Sequence, residues 1–521
     1  MKREFRGLSA AEFFYRNREI AGFSNPVRAL YQTVRELVEN SLDATEMFGI
    51  LPEIYVKIWL SDEKSNRVFV RVEDNGIGIP PDEIPKVFAR VFYGTKYVLR
   101  QTRGVFGLGV KMAVLYAQIT TGEPVYVKSS TPSLPIIAEY KLSIDIKRNI
   151  PIILEESIFR KTSRWHGTVV QLCIEGNWQQ ARRRIEEYIR RTALITPYAS
   201  MRLEGPDLSL EFKRVTKIIP QPPKIGKPHP YGVDVEMLKS IIEGFSNKEA
   251  RLKEFLMESF DSVGETIAEN FLKWARIKNK KLKDLTLEDI TELSEKMRDY
   301  PEWRRPRAAT LSPLGEDLLK RGVKEILKPE YVAAVTRKPS SYGGNPFIVE
   351  VALAWGGELP LVDKPILLRF ANKIPLLYDE GADISRKIVE NIDWSLYKVK
   401  FPAPLAVVVH VCSTKIPFKG VGKEAIADVP ELEKEIANAI KEAGRRLRAH
   451  LTRVEKKFAL ERKRITFEKY IPVIADSLST ITGTPRESIE KKLREIMLRI
   501  LGSEILIMRE EAEKEVAKVE R

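Results

Sequence analysis

Cysteine and histidine are nearly missing from this chain, which has two of the first and four of the second in 521 residues. Cys173 and Cys412 lie too far apart to suggest a disulfide framework or a cysteine-rich zinc site. His166, His229, His410 and His450 show no HExxH or similar ligand spacing. Long apolar runs are missing as well. No stretch approaches the roughly 18 residues of a membrane-spanning helix. The opening MKREFRGLSA has neither an apolar core segment nor a cleavage pattern. Repeats with periods of about 20–50 residues are lacking too. The expectation is a cytoplasmic protein with no membrane partner.

What is present is globular in kind, with 43% hydrophobic and 31% charged residues. The length is too great for one ordinary core and predicts about three domains. A formal charge of +15 fits an anionic partner such as nucleic acid. It fits equally well a surface of solvated ion networks of the heat-adapted kind.

The first break is Ile219–Tyr231, IPQPPKIGKPHPY, whose prolines bar helix and central strand alike. A second falls near Pro301–Pro306. Between them, 232–300 reads as a compact helical module. Strand patterns return at Phe347–Trp355, Pro365–Leu377 and Leu405–Cys412. After Pro430 an apolar stripe runs through Ile436, Ile440, Ala443, Leu447, Leu451, Val454 and Phe458. It predicts a helix over 430 to about 464, on the order of 50 Å long. Thr484-Pro485-Arg486-Glu487 predicts a capping box opening a last helix, with proline at its first position.

Three constellations carry chemistry. In Glu36-Leu37-Val38-Glu39-Asn40-Ser41-Leu42-Asp43, one helical face is Leu30, Val34, Leu37, Val38, Ser41 and Leu42, and another is Glu36, Asn40 and Asp43. A polar face of this spacing is ordinarily a solvated one. Asn, Ser and Asp together nevertheless cost a helix interior about 1–2 kcal/mol against Ala, which points to a use for their side chains. A carboxylate that orients a water, one turn from an amide oxygen that ligates a hard cation, is one such use.

The second constellation follows the alternating run Val68-Phe69-Val70-Arg71-Val72. Period two places Asp74 on the inward side with the valines, where a carboxylate is costly unless donors reach it. The glycines of Asp74-Asn75-Gly76-Ile77-Gly78 by themselves read as a turn. The third is Gly104-Val105-Phe106-Gly107-Leu108-Gly109-Val110-Lys111, a glycine loop opening a helix, where backbone N–H groups can meet phosphate. It is no P-loop, since Val110 stands where Lys is required, and no dinucleotide fingerprint, since no strand directly precedes it. Thr95 and Lys96 upstream could meet phosphate or form an ordinary turn.

ExxxN on a helix, DxGxG after a strand, GxxGxG before a helix and Gly167-Thr168 opening a strand, in that order, resemble the GHKL ATPase family. The resemblance implies an α/β sandwich ATPase domain that uses ATP and Mg²⁺. It implies Glu36 as general base, Asn40 as metal ligand and Asp74 as acceptor for the adenine amino group, beside Gly78. Thr95, Lys96 and 104–111 (Gly104, Val105, Phe106, Gly107, Leu108, Gly109, Val110, Lys111) would form a lid over the phosphates, and Thr168 would support Asp74. Gyrase-like and MutL-like members add a lysine from a second α/β domain. Ser413–Glu424 looks like that loop, and Lys423 is the choice among its three lysines.

Within the family the chain most resembles the B subunits of type IIB topoisomerase VI. The residues that carry this are Glu36–Ala44, Arg103–Lys111, Arg369–Tyr378 and the helical insert, which looks like a helix–two-turns–helix domain. This implies an ATPase domain with an N-terminal strap (1–220), the insert (229–306), a transducer with a long helix (307–470) and a C-terminal helical segment meeting a partner (471–521). It also implies an ATP-dependent homodimer, an A subunit in an A2B2 assembly, and duplex DNA as substrate. A MutL-like repair clamp is the alternative, and a chaperone a weaker one.

Overall fold

A computed structural model of the chain describes residues 7–62, 66–94, 98–104, 107–420 and 422–501. The first helix, α1 (Ala10–Arg16), is capped by Ser9, whose hydroxyl accepts from the Glu12 N–H. In α2 (Pro26–Glu46), Asn25 caps the Arg28 N–H and Pro26 stands at the first turn, where a missing N–H costs nothing. Strands β1 (Glu53–Leu60) and β2 (Arg67–Asp74) pair antiparallel. After α3 (Ile84–Ala89) and α4 (Gly109–Thr120) come β3 (Val125–Ser130), β4 (Ile136–Asp145), β5 (Ile150–Arg160) and β6 (Gly167–Glu175). Helix α5 (Trp178–Ile195) and strands β7 (Ser200–Gly205) and β8 (Leu208–Phe212) complete the unit.

These strands form one sheet in the order β5-β4-β3-β6-β2-β1-β7-β8, antiparallel except between β1 and β7. The alternation in β2 works as period two requires: Val68, Val70, Val72 and Asp74 are all buried on one side. That side meets Leu30, Val34, Leu37, Val38 and Leu42 of α2, with α4 and α5 alongside, in a single core. The apolar stripe of α2 is thus spent on the sheet, and its polar face is left over an opening between α2, α4 and the end of β2.

Helices α6 (Val235–Gly244), α7 (Leu252–Ser259), α8 (Glu265–Ala275) and α9 (Leu287–Asp299) enclose their own core, centred on Phe255, Phe271, Leu293 and Met297. Beyond them lie α10 (Glu316–Leu327), β9 (Tyr331–Thr336), β10 (Ser340–Tyr342), β11 (Asn345–Trp355), β12 (Ile366–Ala371) and β13 (Ile374–Pro375). Then come α11 (Ile384–Asn391), β14 (Leu405–Ser413) and α12 (Pro430–Thr482). The second sheet runs β10-β11-β14-β12-β13, with β9 on β11 and β12 parallel to β14. β14 is buried along its whole length, as an unbroken apolar strand should be when both sheet faces are covered. One face carries α12; the other packs on α10 and on Leu194, Ile195 and Tyr198 at the end of α5. The α5–α10 layer therefore belongs to both sheets and joins them.

Two expectations change at the C-terminal end. Helix α12 continues to Thr482, 53 residues in all and about 80 Å long. Its stripe is buried through Leu451, but Phe458 is 63% exposed. The sequence keeps the helical period where the sheet beneath it has ended, and helix-forming Glu, Lys, Arg and Ala carry the helix on. Pairs such as Arg464 with Glu461 and Glu468 support it. Pro472 lies inside the helix without ending it. The last helix, 486–501, opens on the Pro485 carbonyl, which accepts from the Ser488 and Ile489 N–H groups. Proline is therefore the cap and not the first helical residue. Thr484 belongs instead to the end of α12, where its carbonyl accepts from the Ser479 hydroxyl.

Candidate active site

The opening beside the polar face of α2 is a cavity of about 610 Å³. Glu36, Asn40, Asp74, Gly78, Gly104, Gly107, Leu108, Gly109, Val110, Lys111, Thr168 and Lys423 all line it. Thr95, Lys96, Val105 and Phe106 lie outside the described residues, as do 1–6 at one terminus and 502–521 at the other.

Asp74 closes one end of the cavity. Its Oδ1 accepts from the N–H groups of Gly76 (2.8 Å) and Thr168 (3.2 Å), and its Oδ2 from the Ser41 hydroxyl (2.9 Å). A carboxylate has about four acceptor positions, so these three donors leave one for a ligand. Burial pushes the carboxyl up to about 6, against the pull of these hydrogen bonds. The Thr168 hydroxyl bonds to Ser129 (3.0 Å), so it is the Thr168 backbone that holds Asp74. Two glycines give the room. Gly78 has φ +72°, and a Cβ there would overlap the Ser130 carbonyl; a Cβ on Gly76 would press on Asp74 Oδ1 and Ala44.

Nearer the start of α2, Glu36 is fixed by Gln32, whose Nε2 donates to Oε1 at 2.9 Å. The carboxylate lies against Gly109 so closely that a Cβ there would collide with it. Glu36 thus sits at the first residue of α4, beside the backbone N–H groups of its first turn and the positive end of that helix. Lys111, in the first turn of α4, turns its ammonium to the carbonyls of Tyr93 and Gly107, both at 2.7 Å, and so ties the segment before α4 to Tyr93.

Lys423 enters from the other unit, on the loop after β14. Its Nζ donates to the Arg103 carbonyl at 3.3 Å, and its backbone is left-handed with φ +54°. Lys419, from the same loop, pairs with Asp428 instead. Around Arg103 lies a buried ionic cluster. Arg103 reaches Asp43 (3.1 Å) and Glu46 (2.6 Å), and Lys373 reaches Glu46 at 3.1 Å. Burial alone would raise the Glu46 carboxyl, but Arg103 and Lys373 hold it below the usual range. Lys373 comes from the two-residue turn between β12 and β13, Asn372-Lys373, both at positive φ as a tight hairpin requires. Asn372 donates from Nδ2 to the carbonyls of Thr102 (3.2 Å) and Ser413 (2.9 Å).

Sequence reasoning missed Gln32, Arg103 and Lys373, and it singled out Ser41 without its partner Asp74. Gln32 stands one turn before Glu36, a spacing at which helical side chains meet, so a signal existed. Ser41 was counted with the apolar face, which is the face that looks at β2 and Asp74.

Glu350, His410 and Cys412 also come within metal-binding distance of one another. They form a satisfied cluster. The Lys373 N–H donates to His410 Nε2 (2.9 Å), so Nδ1 carries the proton and donates to Glu350 (2.8 Å). Glu350 also accepts from the N–H groups of Leu314 and Gly315 and from the Thr336 hydroxyl. Neither imidazole nitrogen keeps a lone pair for an ion.

Comparisons with known proteins place the chain in a family. A family model described as "Histidine kinase-, DNA gyrase B-, and HSP90-like ATPase" matches residues 25–144, and one described as "Topoisomerase VI B subunit, transducer" matches 306–463. The B subunit of type 2 DNA topoisomerase 6 from Pyrobaculum aerophilum is 54% identical over 499 residues, covering 96% of this chain and 94% of that one. The protein of the same name from Saccharolobus islandicus is 46% identical over 526 residues, covering 100% and 99%. The ATPase region of Saccharomyces cerevisiae topoisomerase II covers 84% of this chain and 95% of its own at 12% identity, with a TM-score of 0.40, too loose a likeness to carry weight. This chain belongs to the family of type 2 DNA topoisomerase 6 B subunits.

Proposed function

We propose that the chain binds and hydrolyses ATP as the B subunit of a type IIB DNA topoisomerase. The observation that carries this is the meeting of Glu36, Asn40, Asp74, the lid glycines and Lys423 in one cavity. Asp74 offers its remaining acceptor position to the adenine amino group, and Gly78 leaves room for the ring. The N–H groups at the start of α4 receive the phosphates. Glu36, oriented by Gln32, takes the proton of the attacking water. Lys423 meets the γ-phosphate, and the lid, with Thr95, Lys96, Val105 and Phe106, excludes bulk water.

The donor set fits Mg²⁺. The Asn40 amide offers a hard oxygen, and an ion that keeps several waters and phosphate oxygens needs little more from the protein. Bound at Asn40, the ion would neutralise charge on the phosphate oxygens. This chain's residues supply the rest by positioning and charge.

We infer the same working division as the resemblance implies: 1–220, 229–306, 307–470 and 471–521. The first three are supported by the separate apolar cores of the first sheet, the helical insert and the second sheet, while α12 runs unbroken across the 470/471 boundary. We also infer a homodimer formed on ATP, strapped by the N-terminal segment, that joins the A chain of the enzyme in an A2B2 assembly in the cytoplasm at the nucleoid. It acts on duplex DNA by passing one duplex through a break that the A subunit makes. Among the described residues no helix is long and apolar enough to cross a membrane. Similarity along the whole chain to topoisomerase 6 B subunits favours this reading over a MutL-like clamp.

The test is relaxation of negatively supercoiled plasmid. With an A subunit present, relaxation should appear and should require ATP, and this chain alone should give none. ATP turnover without relaxation when the A subunit is present would count for the clamp instead.

A further inference from the structure

Lys423 is held from both sides by the helix that carries Glu36. Arg28 of α2 donates from Nη2 to Glu424 Oε2 at 2.5 Å, and Arg35 donates from Nη1 to the Gly422 carbonyl at 3.3 Å. The residues before and after the lysine are therefore both fastened to α2, although nearly 400 positions separate them from it (|i−j| of 396 and 387). The Glu424 side chain is 6% exposed, and the Arg28 guanidinium lies over the Tyr378 ring at 4.9 Å, so the pair is held and partly desolvated. On its far side the loop is fastened to its own unit: Arg369 donates to the Glu424 carbonyl (3.1 Å), and the Ile426 N–H donates to Asp383 (2.8 Å).

Between these anchors Lys423 stands in the left-handed region, which a long L side chain avoids unless its surroundings impose it. The hydrogen bonds at Gly422 and Glu424 are those surroundings. An ion pair that only joined two domains would have no reason to bracket this residue.

We propose that Arg28 and Glu424 form a positioning latch that seats the lysine loop on the base-bearing helix, so that Lys423 and Glu36 are presented to the same phosphate. The proposal rests on the reading that Lys423 meets the γ-phosphate. Arg28 and Glu424 act through Lys423 and touch no substrate themselves. Their loss should therefore slow turnover while leaving ATP binding, which is anchored at Asp74, nearly intact.

The experiment compares full-length Arg28→Glu, Glu424→Arg, the double reversal and Lys423→Ala for ATP affinity and kcat. Each single reversal should keep affinity within about twofold and lower kcat by about tenfold, a split that marks an interaction made on the way to the transition state. The double reversal should recover kcat to within about threefold of the parent, and adding Arg28→Glu to Lys423→Ala should cost nothing further. Glu424→Gln, of the same shape, covers the case of a reversal that fails to fold, and should lower kcat in the same direction. If Lys423→Ala lowers kcat while Arg28→Glu and Glu424→Gln do not, the latch is wrong and the lysine reading stands. Single losses that the double reversal fails to recover would also overturn the latch. If Lys423→Ala leaves kcat unchanged, the lysine reading fails and the latch fails with it.

Discussion

Asp74 ends a strand whose other inward residues are valines, and its carboxyl is held at about 6 by burial. The folded value lies above the unfolded one, 3.8. Its contribution to stability is therefore complete below the unfolded value and is lost as pH rises through about 6. For the nucleotide-free chain this amounts to about 3 kcal/mol. Asp74→Asn keeps the shape, accepts from Gly76 and Thr168, and donates to Ser41, without the buried charge. It should raise the melting temperature of the nucleotide-free chain at pH 7.5, and the gain should shrink at pH 5, while ATP binding is lost. An equal gain at both pH values would show that ionisation of Asp74 is not its source. Under the proposed function the same residue would set base preference. Guanine places a carbonyl where adenine has its amino group, and two buried acceptors facing each other cost several kcal/mol. GTP should be turned over with kcat/KM at least on the order of 10²-fold below ATP, as competing steady-state assays would show.

Asp74 and Asn40 were legible because each breaks a local rule, a carboxylate on an apolar side and a poor helix former within a helix; Glu36, a good helix former, was reached through its spacing one turn from Asn40. Ser41 broke one too, but its position on the apolar stripe hid that the stripe faces Asp74. Lys373 could not be found in this way. Its partner Glu46 is 327 positions distant, and an ordinary lysine in a hairpin turn carries no local sign of where it points.

Among the elements, α2 is the busiest. One face fills the core, a second lines the cavity, and its C-terminal turn receives Arg103 from the segment before α4 and Lys373 from the β12–β13 turn. Removing one member of a buried ionic cluster leaves the others uncompensated. Lys373→Met should destabilise the chain by about 3 kcal/mol in urea unfolding, and adding Glu46→Gln should return part of that loss. No recovery in the double variant would mean that Lys373 acts by packing alone. Helix α2 was readable from its period, but the single strand pattern at Pro365–Leu377 hid the Asn372-Lys373 turn that divides it into β12 and β13. The end of α12 was not readable either. Its apolar stripe passes the edge of the second sheet without a change of pattern, so the sequence shows a helix face but not whether anything within the chain covers it.

At the scale of the whole molecule, two sheets share the α5–α10 layer, and the Lys423 loop crosses from one unit into the cavity of the other. Under the proposed function, a remote loop that finds its anion only while the γ-phosphate is present would give hydrolysis a way to release one unit from the other, with α12 as the lever. Lys423→Ala should weaken both turnover and the dimer formed with a non-hydrolysable ATP analogue, read by sedimentation. Unchanged values for both would remove the loop from the account.

The most direct test of the ATP site itself is Glu36→Ala, measured for ATP affinity and for turnover on one preparation. Affinity and ATP-driven dimerisation should stay near those of the parent while turnover falls by about 10²-fold or more. Turnover that persists would contradict the assignment of Glu36 as the base on which this account rests.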